Sequence, residues 1–510
     1  MRRHNRVILI FLLTGLITGL SGQSRRILSY DEAVQIALHR SYTVKSYQEE
    51  KNAMQFYFNF YKAMFKPRMD LSVFAPSWKE NVIRVQRPDG LPVYNSFGTM
   101  QFGADLTFTY MLPTGGNFAL HSLMYRDSQV TTLPLQNYSV LRTTQAYTSL
   151  SLSFTQPVFT RNTLKENLIE AKYELERSTC VFTRQQMNII YNVTAAYYNI
   201  YRLTRNVEIA QERLKNSEES LRIAQLKAKT GRIPIGDVLI SRVDVATNKG
   251  NLSEAIASLQ RSKDDFKQLI GLRLDDDFQI LTDLKYDTFE VDEEKAIAEA
   301  LKHRMELKEA ELNYSLQEIR LDRAKRVRGL NGVISAYYDI TGVSTIGAGT
   351  TRELFESSFN NFTDRPPNRG VTFTLSYPIF DWGRGSSRVR QEKANLNRRQ
   401  LDVDNMKVTI IKQVRDIIRS LREAKNRLNI LQQNQKVSER SYKISRIRFE
   451  NGDLSSQDLS REQERLAQSR LDYLDAFITY QLTIADLKRK TLWDFKNNRS
   501  YLKEDYFSEK

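Results

Sequence analysis

The chain has 510 residues, 41% hydrophobic and 27% charged, and its 76 Lys and Arg against 60 Asp and Glu give a formal charge of +16. With 11 Pro and 21 Gly there is little linker to separate ordinary domains, and a single cysteine, Cys180, excludes an intramolecular disulfide. Basic residues are interspersed with acids along helical stretches, which is the pattern of a solvated face and argues against nucleic acid as a partner.

At the start, Arg2, Arg3 and Arg6 precede the apolar run Val7 to Leu20, and the small residues Ser21 and Gly22 follow. This order reads residues 1–22 as a secretory signal peptide, whose removal takes three arginines and lowers +16 to +13. The run of 14 residues is shorter than the roughly 20 that span a bilayer as a helix. No cysteine ends the segment, so no lipid is attached there.

Tyr30-Asp-Glu-Ala-Val34 with Ala37-Leu38 opens an amphipathic helix expected to run to about Lys66. Its counterpart, Ala296-Ile297 with Ala300-Leu301, lies at an offset of 263, which also carries Leu71 and Val73 onto Ile334 and Ala336. Farther on the offset is 221. It places Pro157, Phe159, Lys172, Gly231 and Asp237 on Pro378, Phe380, Lys393, Gly452 and Asp458, and lays Pro157 to Ile270 without a gap on Pro378 to Thr491. The chain is therefore read as two internal repeats, 23–282 and 283–493, with a polar tail at 494–510. The offsets differ by 42 residues, extra material that falls between about Phe74 and Tyr147 of the first copy.

Between the helical parts the period changes to two. Leu150, Leu152 and Phe154 alternate with Ser149, Ser151, Ser153 and Thr155, and Val371, Phe373, Leu375 and Tyr377 alternate with Thr372, Thr374 and Ser376. Strands are expected near 68–74, 147–159, 332–340 and 370–380, each with an apolar face and a small polar face. A half-buried soluble sheet and an outer-membrane barrel both fit that alternation, and the scarcity of charges on the polar faces favours the barrel. In the extra material, Phe102 to Tyr110, the turn Leu112-Pro-Thr-Gly-Gly116 and Phe118 to Tyr125 form a further hairpin, 99–125. The pattern leaves open whether it joins a barrel. Ile340 to Gly370, rich in Ser, Thr, Asn and Gly, reads as an exposed loop.

Long helical hairpins occupy 163–270 and 386–491. Thr163-Leu-Lys-Glu166 has the form of a capping box and Gly231 that of a helix-ending glycine, so Leu164 to Thr230 would be one rod of roughly 100 Å. Along it Ala196, Ile200, Leu203, Val207, Ala210, Leu214, Ser217, Leu221, Ala224 and Ala228 recur at steps of four and three, a coiled-coil seam, and Ile417, Leu421, Ala424, Leu428, Leu431, Gln435, Ser438, Tyr442, Ser445 and Phe449 hold the same register in the second copy. His39, His121 and His303 are too far apart for a metal site. Ile346-Gly-Ala-Gly349 has no helix expected after it to receive a phosphate. No nucleophile has a base at hand, so neither an enzyme nor a cofactor is expected.

The segment Leu375-Ser-Tyr-Pro378-Ile-Phe380-Asp-Trp-Gly383, its partner Leu152-Ser-Phe-Thr-Gln-Pro157-Val-Phe159, the opening Asp31 to Val34 and the turns Lys229 to Asp237 and Glu450 to Asp458 resemble the TolC family of outer-membrane efflux and secretion channels. The likeness runs from about Leu28 to Trp493. It implies a mainly α chain with a β-barrel part: a homotrimer whose 12-stranded barrel in the outer-membrane lipid continues into an α-helical coiled-coil barrel through the periplasm. It further implies a periplasmic adaptor and an inner-membrane RND or ABC pump as partners, in efflux or type I secretion. By the same resemblance Asp237 and Asp458 constrict the pore, Gly231, Gly236 and Gly452 form the tip turns that meet the adaptor, and Pro157, Phe159, Pro378 and Phe380 mark the strand-to-helix junctions. Arg461 stands where the family's second repeat often has another acid, which departs from a double acidic ring. Asp237 and Asp458 fit equally as N-caps of the returning helices. The competing class is an exported coiled-coil scaffold or adhesin with a small soluble β domain.

Overall fold

The computed structural model describes residues 26–86, 89–133, 139–281, 290–326, 329–344, 347, 349–495 and 497–500. The signal segment 1–22 and most of the 494–510 tail lie outside them. In chain order the first elements are β1 (Arg26–Leu28), α1 (Tyr30–Arg40), α2 (Tyr42–Ala63), β2 (Arg68–Gln86), β3 (Pro92–Met111), β4 (Asn117–Leu133) and β5 (Ser139–Val158). Next come α3 (Thr163–Lys229), α4 (Ile235–Ile270), β6 (Phe278–Ile280), α5 (Glu293–His303) and α6 (Met305–Arg326). The rest are β7 (Asn331–Val343), α7 (Thr351–Asn360), β8 (Asn368–Ser376), α8 (Arg384–Asn451), α9 (Ser456–Thr491), β9 (Trp493–Asp494) and β10 (Arg499–Ser500). Element lengths recur along the chain: 11 and 22 residues for α1 and α2 and again for α5 and α6, 67 and 68 for α3 and α8, and 36 for both α4 and α9.

Local chemistry explains most of these boundaries. α1 begins at a reciprocal capping box in which Ser29 Oγ accepts from the Glu32 N–H and the Glu32 carboxylate accepts from the Ser29 N–H. The single helix expected to Lys66 is instead two, because Ser41 leaves the helical region (φ −56°, ψ 131°) while its N–H still reaches Ala37 O. α3 starts at Thr163, but its cap is one residue earlier than the motif suggests: Asn162 Oδ1 accepts from the Lys165 N–H at 2.9 Å. Glu166, freed from capping, pairs with Arg323.

Contacts group the chain into two compact units. One comprises Met1–Lys45, Gln186–Glu293 and Arg415–Lys510, the other Ser46–Gln185 and Glu294–Val414. In the first, β1 pairs in parallel with β6, and Tyr197, Phe266, Ile270 and Leu28 form a fully buried core in which Tyr197 donates its hydroxyl to Leu28 O at 3.2 Å. The expected seam is partly internal here, with Ile200, Ala210, Ser217, Ala224, Ile417, Leu421, Ala424 and Leu428 buried. In the second unit Leu312, Leu316, Leu321, Val403, Ile410 and Cys180 are buried. Burial pushes the Cys180 thiol up to about 11, so it stays protonated and inert at neutral pH.

The second unit also holds a six-stranded sheet in the order β2-β3-β4-β5-β7-β8, in which each neighbouring pair is antiparallel. The hairpin expected at 99–125 thus belongs to this sheet as β3 and β4, and its strands reach well beyond those bounds. The stretch read as a loop from Ile340 to Gly370 contains the end of β7 and a true helix, α7, with its own capping box from Thr350 and Glu353. α7 lies close on the sheet. Ser358 Oγ donates to Gly342 O and bonds Thr148 Oγ1, and a Cβ at Gly342 would come within 1.9 Å of Ser358 O, so only glycine allows this approach.

Candidate channel wall and tip turns

Residues paired across an antiparallel ladder share a face, so the registers sort the sheet into two surfaces. One row runs Met69, Phe108, Leu120, Leu152, Tyr338 and ends on β8 at Arg369, and a neighbouring row runs Leu71, Leu106, Ser122, Leu150, Ile340. On the opposite face Asp70, Thr107, His121, Ser151, Asp339 and Asn368 form a row across all six strands. The apolar rows are uncovered: Leu71 is 66% exposed and Leu152 47%. A sheet that shows water its apolar side has its period set for another solvent.

Charged groups near the polar row have polar partners. Arg68 binds Asp70 at 2.7 Å, His121 Nε2 meets Asp105 at 3.0 Å, and Asn368 donates to Asp339 at 3.4 Å. His121, set aside in the sequence as isolated, gains its partner only through the β3–β4 register, which local pattern does not disclose. Among the described residues no group of His, Cys, Asp or Glu could hold a metal ion, and no helix is long and apolar enough to cross a membrane.

One end of the sheet is tied to the helices. In the β3–β4 turn, Thr114 donates to Gln156 Oε1 at 2.7 Å, and Asn162, the α3 cap, donates to Pro113 O at 2.7 Å. The expected junction residues lie here. Pro157 is still in the ladder, opposite Val333, whereas Phe159, Phe380 and Ile379 project into solvent, Ile379 at 93%. Phe159 and Trp382 hold left-handed backbone, φ 62° and 53°, an unusual conformation for large side chains that marks the sharp exit from strand to helix.

At the other extremity of the long helices, Gly231 (φ 70°) and Gly452 (φ 99°) end α3 and α8. In each turn the next residue's N–H reaches back to a carbonyl of the last turn, Arg232 to Lys227 O and Asp453 to Arg448 O, both at 2.9 Å. Gly236, in the first turn of α4, has open space around it, and so do Gly231 and Gly452. The two helix ends meet: Lys227 Nζ donates to Phe449 O and sits 4.6 Å from the centre of the Phe449 ring, a cation stabilising the carbonyl end of α8. Sequence reading placed Phe449 on the seam and passed over Lys227.

The aspartates are not the caps. Pro234 and Ser455 occupy the N-cap positions, and Asp237 and Asp458 lie three residues in. Ser455 Oγ accepts from the Asp458 N–H, and the Asp458 carboxylate takes the Ser455 hydroxyl at 2.7 Å and Arg461 at 3.4 Å. Arg461, the departure noted in the sequence, thus neutralises the neighbouring acid. The Asp237 carboxylate has no partner among the described residues, so the two turns differ electrostatically.

A six-stranded sheet with one apolar and one polar face, running through β5 into a long helix, is the kind of element that membrane channels use, and comparison with known proteins shows the family. The chain belongs to the outer membrane efflux protein family, whose profile matches residues 126–272 and 296–489, as the resemblance to TolC implied. No curated protein matched the chain in sequence. Among solved structures it is similar to the outer membrane protein VceC from Vibrio cholerae, at 14% identity and a TM-score of 0.65 over 91% of this chain and 95% of that one. It is also similar to a membrane protein from Pseudomonas aeruginosa, at 14% identity and 0.65 over 94% of each chain, and to the Campylobacter jejuni CmeC outer membrane channel, at 13% and 0.63 over 96% and 94%. This chain matches these folds in being mainly helical with a sheet part, and CmeC is an outer membrane channel.

Proposed function

We propose that three copies of this chain form the exit duct of a tripartite efflux pump or type I secretion system, an outer-membrane barrel continued by a helical barrel in the periplasm. The observation that carries this reading is the sheet itself, with its hydrocarbon-compatible face, its polar face and two unpaired edges, β2 and β8. In lipid an open edge leaves backbone groups unsatisfied, so the sheet closes by joining β2 of one copy to β8 of the next.

The helices supply a second set of neighbour-seeking surfaces. Ile430, Val437 and Ile444 lie seven residues apart on α8 and are exposed, and Ile235, Leu239 and Val243 do the same at spacings of four on α4. Such stripes fit the flank of an adjacent copy, with the two internal repeats supplying alternate staves. The turns at Gly231, Gly236 and Gly452 would present backbone to an adaptor protein coupled to an inner-membrane RND or ABC pump. Asp237 and Asp458 would approach the axis as the constriction.

The test is to express the chain in a diderm host, fractionate the envelopes, weigh the detergent-extracted particle by light scattering, and measure substrate export in the presence of a cognate adaptor and pump. A three-chain particle in the outer-membrane fraction that restores export supports the reading. A soluble or monomeric product with an intact β signal favours the scaffold alternative.

A further inference from the structure

We propose that the β3–β4 hairpin is a wall segment of the membrane duct, so that three chains build an eighteen-stranded barrel, six strands from each, rather than the twelve implied by the resemblance. This rests on the three-chain reading above and goes beyond it, because it makes the membrane section unusually wide.

Three observations place the hairpin in the wall. First, it interrupts the sheet. β3 pairs with β2 from Arg68↔Thr109 to Gln86↔Pro92, and β4 with β5 from Asn117↔Thr155 to Leu133↔Ser139, so β2 and β5 do not touch. A lobe lying outside the barrel would leave those two strands paired to each other. Second, the hairpin carries the same two-faced pattern at the same depth. Leu106 and Phe108 stand in register with Leu71 and Met69, and Leu120 with Leu152; Met69, Leu71, Leu106, Leu120 and Leu152 are exposed and Phe108 is half-buried, while Asp105 and His121 lie on the polar face with Ser72 and Ser151. Apolar rows continuous across four strands need one common solvent, and lipid is the one the flanking strands meet. Third, the turn at 112–116 is pinned to the strand-to-helix junction through Asn162 and Gln156, so the hairpin runs the full height of the wall. Because it contributes two strands, β5 keeps the direction it would have without it, and α3 leaves the sheet on the same side.

Barrel diameter grows roughly in proportion to strand number, so eighteen strands give a lumen about half as wide again as twelve, in the range of the 16–18-stranded porins that hold open aqueous channels. Size selection would then fall on the helical part and its turns, and the membrane section would pass bulky cargo freely.

The experiment uses the full-length chain in native membranes. Cysteine pairs Leu71→Cys with Leu106→Cys and Leu120→Cys with Leu152→Cys are treated with a short bifunctional maleimide, and a bimane label on Leu106→Cys alone is exposed to spin-labelled lipid and to aqueous iodide. The expected result is crosslinking within one chain for both pairs, quenching by lipid within about twofold of a label at Leu152→Cys, and eighteen strands in an electron cryomicroscopy map of the particle. Excising residues 92–133 is expected to bring the count to twelve with the apolar face preserved. Iodide quenching at Leu106→Cys without lipid quenching, or a twelve-stranded map of the intact chain, overturns the proposal. The mass of the same particle is read independently: a particle that is not three chains defeats the oligomeric reading, whereas a three-chain particle with twelve strands defeats the hairpin proposal alone.

Discussion

Placing arginine at Leu152 tests the solvent assignment of the two sheet faces most directly. Leu152 lies in register between Leu120 and Tyr338, six residues from the end of β5 at Val158. At about 3.4 Å per residue and a tilt of roughly 40°, it stands about 15 Å above the junction, near the middle of an apolar band about 25 Å tall. Arginine on the lipid face at that depth costs about 2–4 kcal/mol per chain. Each 1.4 kcal/mol is tenfold, so folded assembly falls by about 30- to 1000-fold per chain before cooperation among copies is counted. Ser151, the adjacent residue, faces the other way, in the row of His121 and Asp339, and arginine there stays hydrated. The assay is heat-modifiable gel migration of membrane fractions from Leu152→Arg and Ser151→Arg, with Val371→Arg and Thr372→Arg, in register with Phe154 and Thr155, as the corresponding apolar-face and polar-face pair in β8. Loss confined to the apolar-face variants at Leu152 and Val371 is expected. Equal loss in both sets would refute the argument, because it would mean that both faces are buried in protein.

Other outcomes follow from the helical parts. Asp237→Asn is expected to change cation conductance in planar bilayers more than Asp458→Asn, since Arg461 already compensates Asp458, and Arg461→Ala should raise the effect of Asp458→Asn. Gly231→Val and Gly452→Val force β-branched residues into left-handed backbone at a cost of about 1–2 kcal/mol each; export is expected to fall while the mass of the particle stays unchanged. Gly342→Val should unseat α7 and cost about 1–3 kcal/mol of thermal stability, whereas Phe359→Ser on the exposed side of α7 should cost little. The Gln317 amide, donating at 2.8 Å, holds the buried Glu392 carboxyl below its ordinary range, and although burial raises Glu306, Arg304 outweighs it and leaves that group lowered as well. A lowered folded value stabilises above the unfolded pKa, near 4.5, and the gain is lost as pH falls through the folded value. Gln317→Leu and Arg304→Met should therefore melt earlier than the parent at pH 7, and the gap should close only in acid below about 4.5.

Much of this fold is visible in sequence because its signals are local. A change of period from 3.6 to 2 marks strands, glycines end helices, and a long repeat fixes which segments correspond. Gly231 and Gly452 needed nothing more, since a left-handed helix end is a property of one residue. What local pattern did not yield is pairing. That β3 and β4 separate β2 from β5 and that His121 meets Asp105 depend on partners brought together by strand register, whereas Arg461 on Asp458 is an i, i+3 pair that helix spacing alone places together. The Thr163 box failed for a related reason. Asn162 was one position earlier and also had Pro113 to hold, so a tertiary contact decided between two adequate caps.

The unequal lengths of the two edge strands, 19 residues in β2 and nine in β8, have a consequence at the cell surface. In the three-copy barrel proposed above, full pairing with β8 of a neighbouring copy would leave about ten residues of β2 at the outward end with a bare row of backbone donors and acceptors, repeated three times around the rim. An exposed edge of that kind invites any extended peptide, or another particle, to add itself as the next strand. The stretch concerned contains Lys79, Glu80 and Arg84, with the Glu80 carboxylate engaged by Ser96 across the ladder. A strand added there would have to bury these charges, which in the proposed barrel would keep the rim from zipping onto its neighbours. Replacing those three residues with Thr or Val is the change that would turn a soluble rim into an adhesive one.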